Sequence, residues 1–325
     1  MRLPTSMPSS QARCRSRAPG RCRWDNAHMR PLPPPTLANL YPPVREYTYF
    51  DAPASLVFDA HAAVAAPAQA WWLAEHALLA YERGPRVRAL LVPQALQVEL
   101  LHDRASGSHA HAAITAGAGI LAFRGTEALK PGDSWRKLGA VARDWWTDAR
   151  VRRVVSPHGG RVHQGFEQAI TALWPQITPL LPLAPRWWLC GHSLGGALAL
   201  LAAARLSDSG ARLAGVITYG QPRVGDAVLA THLESLPLLR VVNACDLVPE
   251  MPPEALGYHH AGALRHLDAE RAERYRNRVH DYLTQLPRTL RHGVGAMTPV
   301  ELVDHAPLYY AVKCFNVAAG DAASR

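Results

Sequence analysis

Residues 187–206 read WWLCGHSLGGALALLAAARL. One serine, Ser193, stands between glycines at the point where one apolar run gives way to another. An alanine would bury there more comfortably, because a buried hydroxyl costs free energy unless it has a partner. The run Gly191-His192-Ser193-Leu194-Gly195 fits a sharp strand-to-helix turn that presents a nucleophile. Gly191 and Gly195 lack the Cβ atoms that would collide where strand and helix close on each other. The serine is held in a strained backbone conformation with its hydroxyl above the sheet edge. The helix opening at Leu194 aims its positive end at the same point, which favours a developing oxyanion. The chemistry implied is acyl transfer through a serine.

A neutral hydroxyl is a weak nucleophile and needs a base, which needs an orienting carboxylate. On a strand–turn–helix of this kind the order is Ser, Asp, His. Asp246, in NACDLVPEMPP, follows an apolar run at 238–243, where sheet topology delivers active-site groups. Asp226, in QPRVGD, reads as the N-cap of a helix starting at 227, and Glu250 is a third candidate. For the base, His259, His260, His266, His280, His292 and His305 all lie downstream, and spacing does not choose among them.

The elements that must position these groups alternate. Apolar periodicity predicts helices over 68–82, 165–181 (interrupted by Pro175), 194–206 and 227–235. Strands are predicted over 95–101, 119–123, 186–190, 213–220 and 238–243. Alternation of this kind predicts an α/β fold with a mostly parallel central sheet and helices on both faces. A single domain over 44–325 is expected.

Taken together, AFRGT (122–126), VHQGF (162–166), GHSLGGALA, TYGQPRVGD, NACDLVPEMPP, GYHHAG (257–262) and LVDHAPLYY (302–310) resemble the fungal-type triacylglycerol lipases, the class 3 lipase family of the α/β hydrolases. The resemblance runs from about residue 68 to residue 316. It implies a serine hydrolase of carboxylic esters, acting on acylglycerols through an acyl-enzyme. It assigns Ser193, Asp246 and His305 as the catalytic triad, with Gly191, His192 and Gly195 forming the elbow. The oxyanion hole falls to Thr126 and the backbone N–H of Leu194, and His260 is not the base. Phospholipase or short-chain esterase activity is the neighbouring alternative. A hydrolase fold used for binding or signalling without turnover is the alternative of another class.

The resemblance also implies a lid within 127–143. Trp135, Leu138, Val141 and, just past that range, Trp145 recur at helical spacing with basic flanks. The pattern is suited equally to peripheral contact with an anionic lipid surface and to an ordinary surface helix packing its stripe on the core. The arginine-rich stretch 263–300 reads as a solvated helical insert.

Composition narrows the remainder. Net charge is +9, but residues 1–30 carry seven Arg and one Asp, so the basic character belongs to the leading segment. Residues 1–43 read as a disordered basic and Pro-rich extension, and Met29 offers an alternative start. No secretory leader pattern is seen. Five scattered cysteines without a CxxC pair suit a reducing, cytoplasmic setting, with Cys190 and Cys245 as buried small hydrophobes. No metal or other cofactor is expected, since SHAHA (108–112) and the other histidines lack ligand spacing and no phosphate loop occurs. No nucleic-acid partner is expected.

Overall fold

The computed structural model of the chain describes residues 29–36, 46–126, 152–268 and 303–323. Strands β1 (Gln97–Asp103), β2 (Ser108–Ile114), β3 (Gly119–Phe123), β6 (Trp187–His192), β7 (Leu213–Tyr219), β8 (Leu238–Asn243) and β9 (Ala263–Leu267) form one sheet in the order β1-β2-β3-β6-β7-β8-β9. The first two pairings are antiparallel and the four from β3 onward are parallel. β4 (Arg153–Val155) and β5 (Arg161–His163) make a separate short hairpin.

Side chains alternate across a strand, and here both faces are covered. Ala122, Trp188, Cys190, Ile217 and Val241 pack beneath helices α1 (Pro67–Leu79) and α6 (Pro307–Ala323). Leu121, Phe123, Trp187, Leu189 and Val216 pack beneath α3 (Gln164–Ile177), α4 (Leu194–Ser209) and α5 (Ala227–Leu233). The adjacent tryptophans of β6 thus serve opposite cores. α4 is buried almost all round, which explains its run of Ala and Leu. A further helix, α2 (Gly84–Leu91), precedes β1.

Predicted and observed elements agree along the parallel half of the sheet: β3 and β8 have the predicted bounds, and β6 and β7 differ by one or two residues. β2, α2, α6 and the β4–β5 hairpin went unpredicted. β2 contains the SHAHA stretch, whose histidines weaken the apolar signal. His111 is nonetheless buried, its Nε2 3.1 Å from His76 Nδ1.

Two expectations are corrected. The expected helical insert begins instead with a strand, because Ala263–Leu267 pairs in parallel register with Leu239–Asn243 and closes the sheet edge. The remainder of that insert, and the expected lid over 127–143, lie outside the described residues. Nor are residues 29–36 loose. Asn316 on α6 accepts from the Arg30 backbone N–H at 2.8 Å and donates to its carbonyl at 3.0 Å. Tyr309 donates to the Pro33 carbonyl at 2.8 Å. The Arg30 guanidinium lies 3.9 Å from the Phe315 ring centroid.

Candidate active site

The elbow forms as its glycines require. Ser193, between β6 and α4, has φ 57° and ψ −127°, a conformation side-chain-bearing residues seldom adopt. A Cβ on Gly191 would overlap the Gly195 backbone, and one on Gly195 would overlap the Phe123 carbonyl at the end of β3. Strand, turn and helix therefore approach more closely than any other residue type permits. Ser193 N–H donates to the Tyr219 carbonyl at 2.9 Å, tying the turn to β7.

His305 stands over this turn. Its Nε2 is 3.0 Å from Ser193 Oγ, and its Nδ1 is 2.9 Å from Asp246 Oδ2. The Asp246 carboxylate is wholly buried and fully engaged. Oδ1 accepts from the Val248 N–H at 2.9 Å, and Oδ2 also accepts from the Tyr310 hydroxyl at 2.6 Å. Three residues separated by as much as 112 positions thus form one continuous hydrogen-bonded line. With Nδ1–H facing the carboxylate, Nε2 is left as the lone pair facing Ser193, the arrangement a general base needs.

Several unremarkable-looking residues hold that line. Asp304, beside the base, accepts from the Cys245 N–H at 3.2 Å, and its carbonyl accepts from Asn243 Nδ2 at 2.8 Å. Lys313 on α6 donates to Asn243 Oδ1 at 2.6 Å. Arg223, from the QPR motif, bonds the carbonyls of Glu250 and Pro252 and pairs with Glu250 at 3.1 Å. Glu250 therefore pins the loop after Asp246 rather than facing the serine. Asp226 caps α5, accepting from the Leu229 N–H at 3.0 Å. Among the rejected histidines, His260 Nε2 donates to the Pro249 carbonyl at 2.7 Å, and burial lowers its pKa to about 3. It too braces the Asp246 loop.

The end of β3 abuts the elbow. The position of a Cβ on Gly125 lies 2.7 Å from the His192 carbonyl, and Thr126 follows at once, partly buried. Leu194 occupies the first position of α4, where backbone N–H groups have no helical acceptor. Thr126 thus follows the β3 end that meets the elbow, and Leu194 directly follows the serine.

Sequence reading missed Tyr310, Arg223 and Gly220. Tyr310 follows His305 within the quoted LVDHAPLYY, but nothing in a tyrosine at that spacing says which carboxylate it will meet. Gly220 has φ 57°, and a Cβ there would sit 2.7 Å from Asp246 Oδ2 and 3.1 Å from His305 Nδ1.

The class 3 lipase family matches residues 120–256, a segment that holds Ser193 and Asp246 and stops short of His305. A lipase of Rhizopus niveus is 38% identical over 116 residues, covering 32% of this chain and 30% of that relative. A lipase of Rhizomucor miehei is 36% identical over 134 residues, 37% of each chain. The chain thus spans about a third of the length of these relatives. The crystal structure of a lipase from Rhizopus microsporus var. chinensis aligns with 63% of this chain and 76% of its own, at 25% identity and a TM-score of 0.48. Over the segment that carries its elbow and buried carboxylate, this chain is similar to the class 3 lipases.

Proposed function

We propose that the chain is a serine hydrolase of carboxylic esters, a lipase acting on acylglycerols. The observation that carries this reading is the unbroken line Ser193–His305–Asp246, with the serine at φ 57° on the elbow. The lipases among its relatives support the substrate class.

His305 Nε2 takes the proton of Ser193 as Oγ attacks the acyl carbonyl. Asp246, held by Tyr310 and the Val248 N–H, fixes the imidazole tautomer and stabilises the imidazolium that forms. The N–H of Leu194 and the Thr126 group receive the oxyanion. The imidazolium then protonates the departing alcohol, and water, activated by the same histidine, releases the acyl group.

Ser193→Ala should abolish turnover of a medium-chain p-nitrophenyl ester while leaving the circular dichroism spectrum unchanged. Retained turnover would end the proposal. A fluorophosphonate probe should label wild type and not this variant; an unlabelled wild type would favour a binding protein. A chain-length series on soluble and emulsified esters separates lipase from short-chain esterase, and a phosphatidylcholine arm tests for phospholipase.

A further inference from the structure

Tyr81 lies just beyond α1, outside the line of groups described above. The residue is partly exposed. Two observations converge on its hydroxyl oxygen. It is 2.8 Å from His192 Nδ1. A Cβ on Gly125 would overlap it, so glycine is what lets the β3 loop come so close.

The direction of each bond follows from the next. His192 Nε2 is 2.7 Å from the His305 carbonyl, which can only accept, so Nε2 carries the proton. Burial, with His305 alongside, holds the His192 pKa well below its ordinary value, so the ring is neutral and Nδ1 bears a lone pair. The Tyr81 hydroxyl must then donate to Nδ1, with Gly125 packed against its oxygen. The result is a second chain of Tyr81 hydroxyl, His192 ring and His305 carbonyl, with Gly125 seated against the hydroxyl.

We propose that Tyr81 is a positioning residue for the reaction, its hydroxyl setting the Thr126 loop relative to the nucleophile and the base. This inference rests on the hydrolase reading above. Thr126 directly follows Gly125, His192 directly precedes Ser193, and His305 is the base. One hydroxyl thus bears on the mutual placement of all three, and it makes no described hydrogen bond to Ser193 Oγ or to the His305 ring. A displacement of about 1 Å in such a constellation is enough to cost up to a hundredfold in rate. The neutral state of His192 also matters, because a second imidazolium with its ring centroid 4.6 Å from that of His305 would oppose the charge that develops there.

Tyr81→Phe keeps the ring and removes the donor. With a p-nitrophenyl ester, kcat should fall about tenfold, KM should stay within about twofold, and the melting temperature should stay close to wild type, since the loss arises in the transition state. Combined with Thr126→Ala, the losses should be smaller than the product of the two single losses, because both act through one loop. A wild-type kcat, a loss confined to KM, or strictly multiplicative losses would overturn the proposal. If the phenylalanine variant fails to fold, His192→Gln and His192→Leu supply the test. Gln keeps a donor for the His305 carbonyl and should retain several-fold more kcat than Leu at equal stability, and equal kcat would overturn the link. The wild type separates the two readings. If it neither turns over ester nor takes up fluorophosphonate, the hydrolase reading fails. If it is active and Tyr81→Phe matches it, the role of Tyr81 alone fails.

Discussion

Asp246 is a wholly buried carboxylate whose neighbours supply every hydrogen bond described for it. A hydrogen bond to a charged group contributes about 1.5–3 kcal/mol, so the Tyr310 hydroxyl matters to how firmly that carboxylate is aimed at His305. Tyr310→Phe should lower kcat/KM by about tenfold with the ester unchanged, each factor of ten corresponding to about 1.4 kcal/mol. An unaltered value would mean that Val248 N–H and His305 suffice. Gly220→Ala is the steric counterpart. It imposes a positive φ costing about 1–2 kcal/mol on a residue with a Cβ, and drives that Cβ toward Asp246 and His305. Loss of both stability and activity is expected, and a fully active variant would show that the site relaxes freely. At this scale the sequence was legible where chemistry demands a residue type. Ser193 announces itself by its flanking glycines, and Asp226 by its place before a helix. His305 was not legible from spacing, because the fold, not the interval, brings it back to the serine. Tyr310 and Tyr81 were illegible for the same reason, since a tyrosine beside apolar residues reads as core.

Two helices from opposite ends of the described chain carry much of the site's support. α6 brings Tyr310 and Lys313 and packs on α1, while Tyr219 beneath them donates to the Ala70 carbonyl at 2.5 Å. Segment 29–36 lies across this pair, and Glu75 on α1 receives Trp71 Nε1 at 2.9 Å, the Phe50 N–H at 3.1 Å and Arg30 at 3.5 Å. Burial pushes the Glu75 carboxyl above its ordinary range despite these donors. Asn316→Ala removes both hydrogen bonds that clasp the Arg30 backbone, each contributing about 1 kcal/mol. Chemical denaturation should therefore report a loss of about 1–2 kcal/mol; an unchanged midpoint would show the clasp to be energetically idle. The parallel strands were legible because strands buried on both faces read as unbroken apolar runs. Segment 29–36 was not, because its proline-rich composition says nothing about a docking surface built from residues 276 and 286 positions later.

Across the described residues, burial holds several histidines in the neutral form. Burial lowers the pKa of His111 and His260 to about 3 and of His163 to about 4, and holds His76 and His192 low as well. In the unfolded chain each takes a proton near pH 6.5. The unfolded state therefore binds more protons at mildly acidic pH, and stability falls as pH drops below about 6.5. Each such residue contributes a slope of about 1.4 kcal/mol per pH unit, so His111 and His260 alone imply about 3 kcal/mol per unit near pH 5. Urea midpoints at pH 7 and pH 5 check this, and a flat dependence would contradict it. The alternating architecture that buries these rings was visible in the sequence. Which histidines it would bury was not, since a histidine in an apolar strand and one on a polar surface differ only in what packs against them.

The base stands 112 residues beyond the nucleophile, and the helix that follows it must find α1 from the far end of the described chain. Contacts of such long separation close late, because loop entropy must be overcome before they reward it. During refolding from urea, the tryptophan emission of the β6 pair should recover ahead of ester turnover, leaving an interval in which the protein is largely compact yet chemically silent.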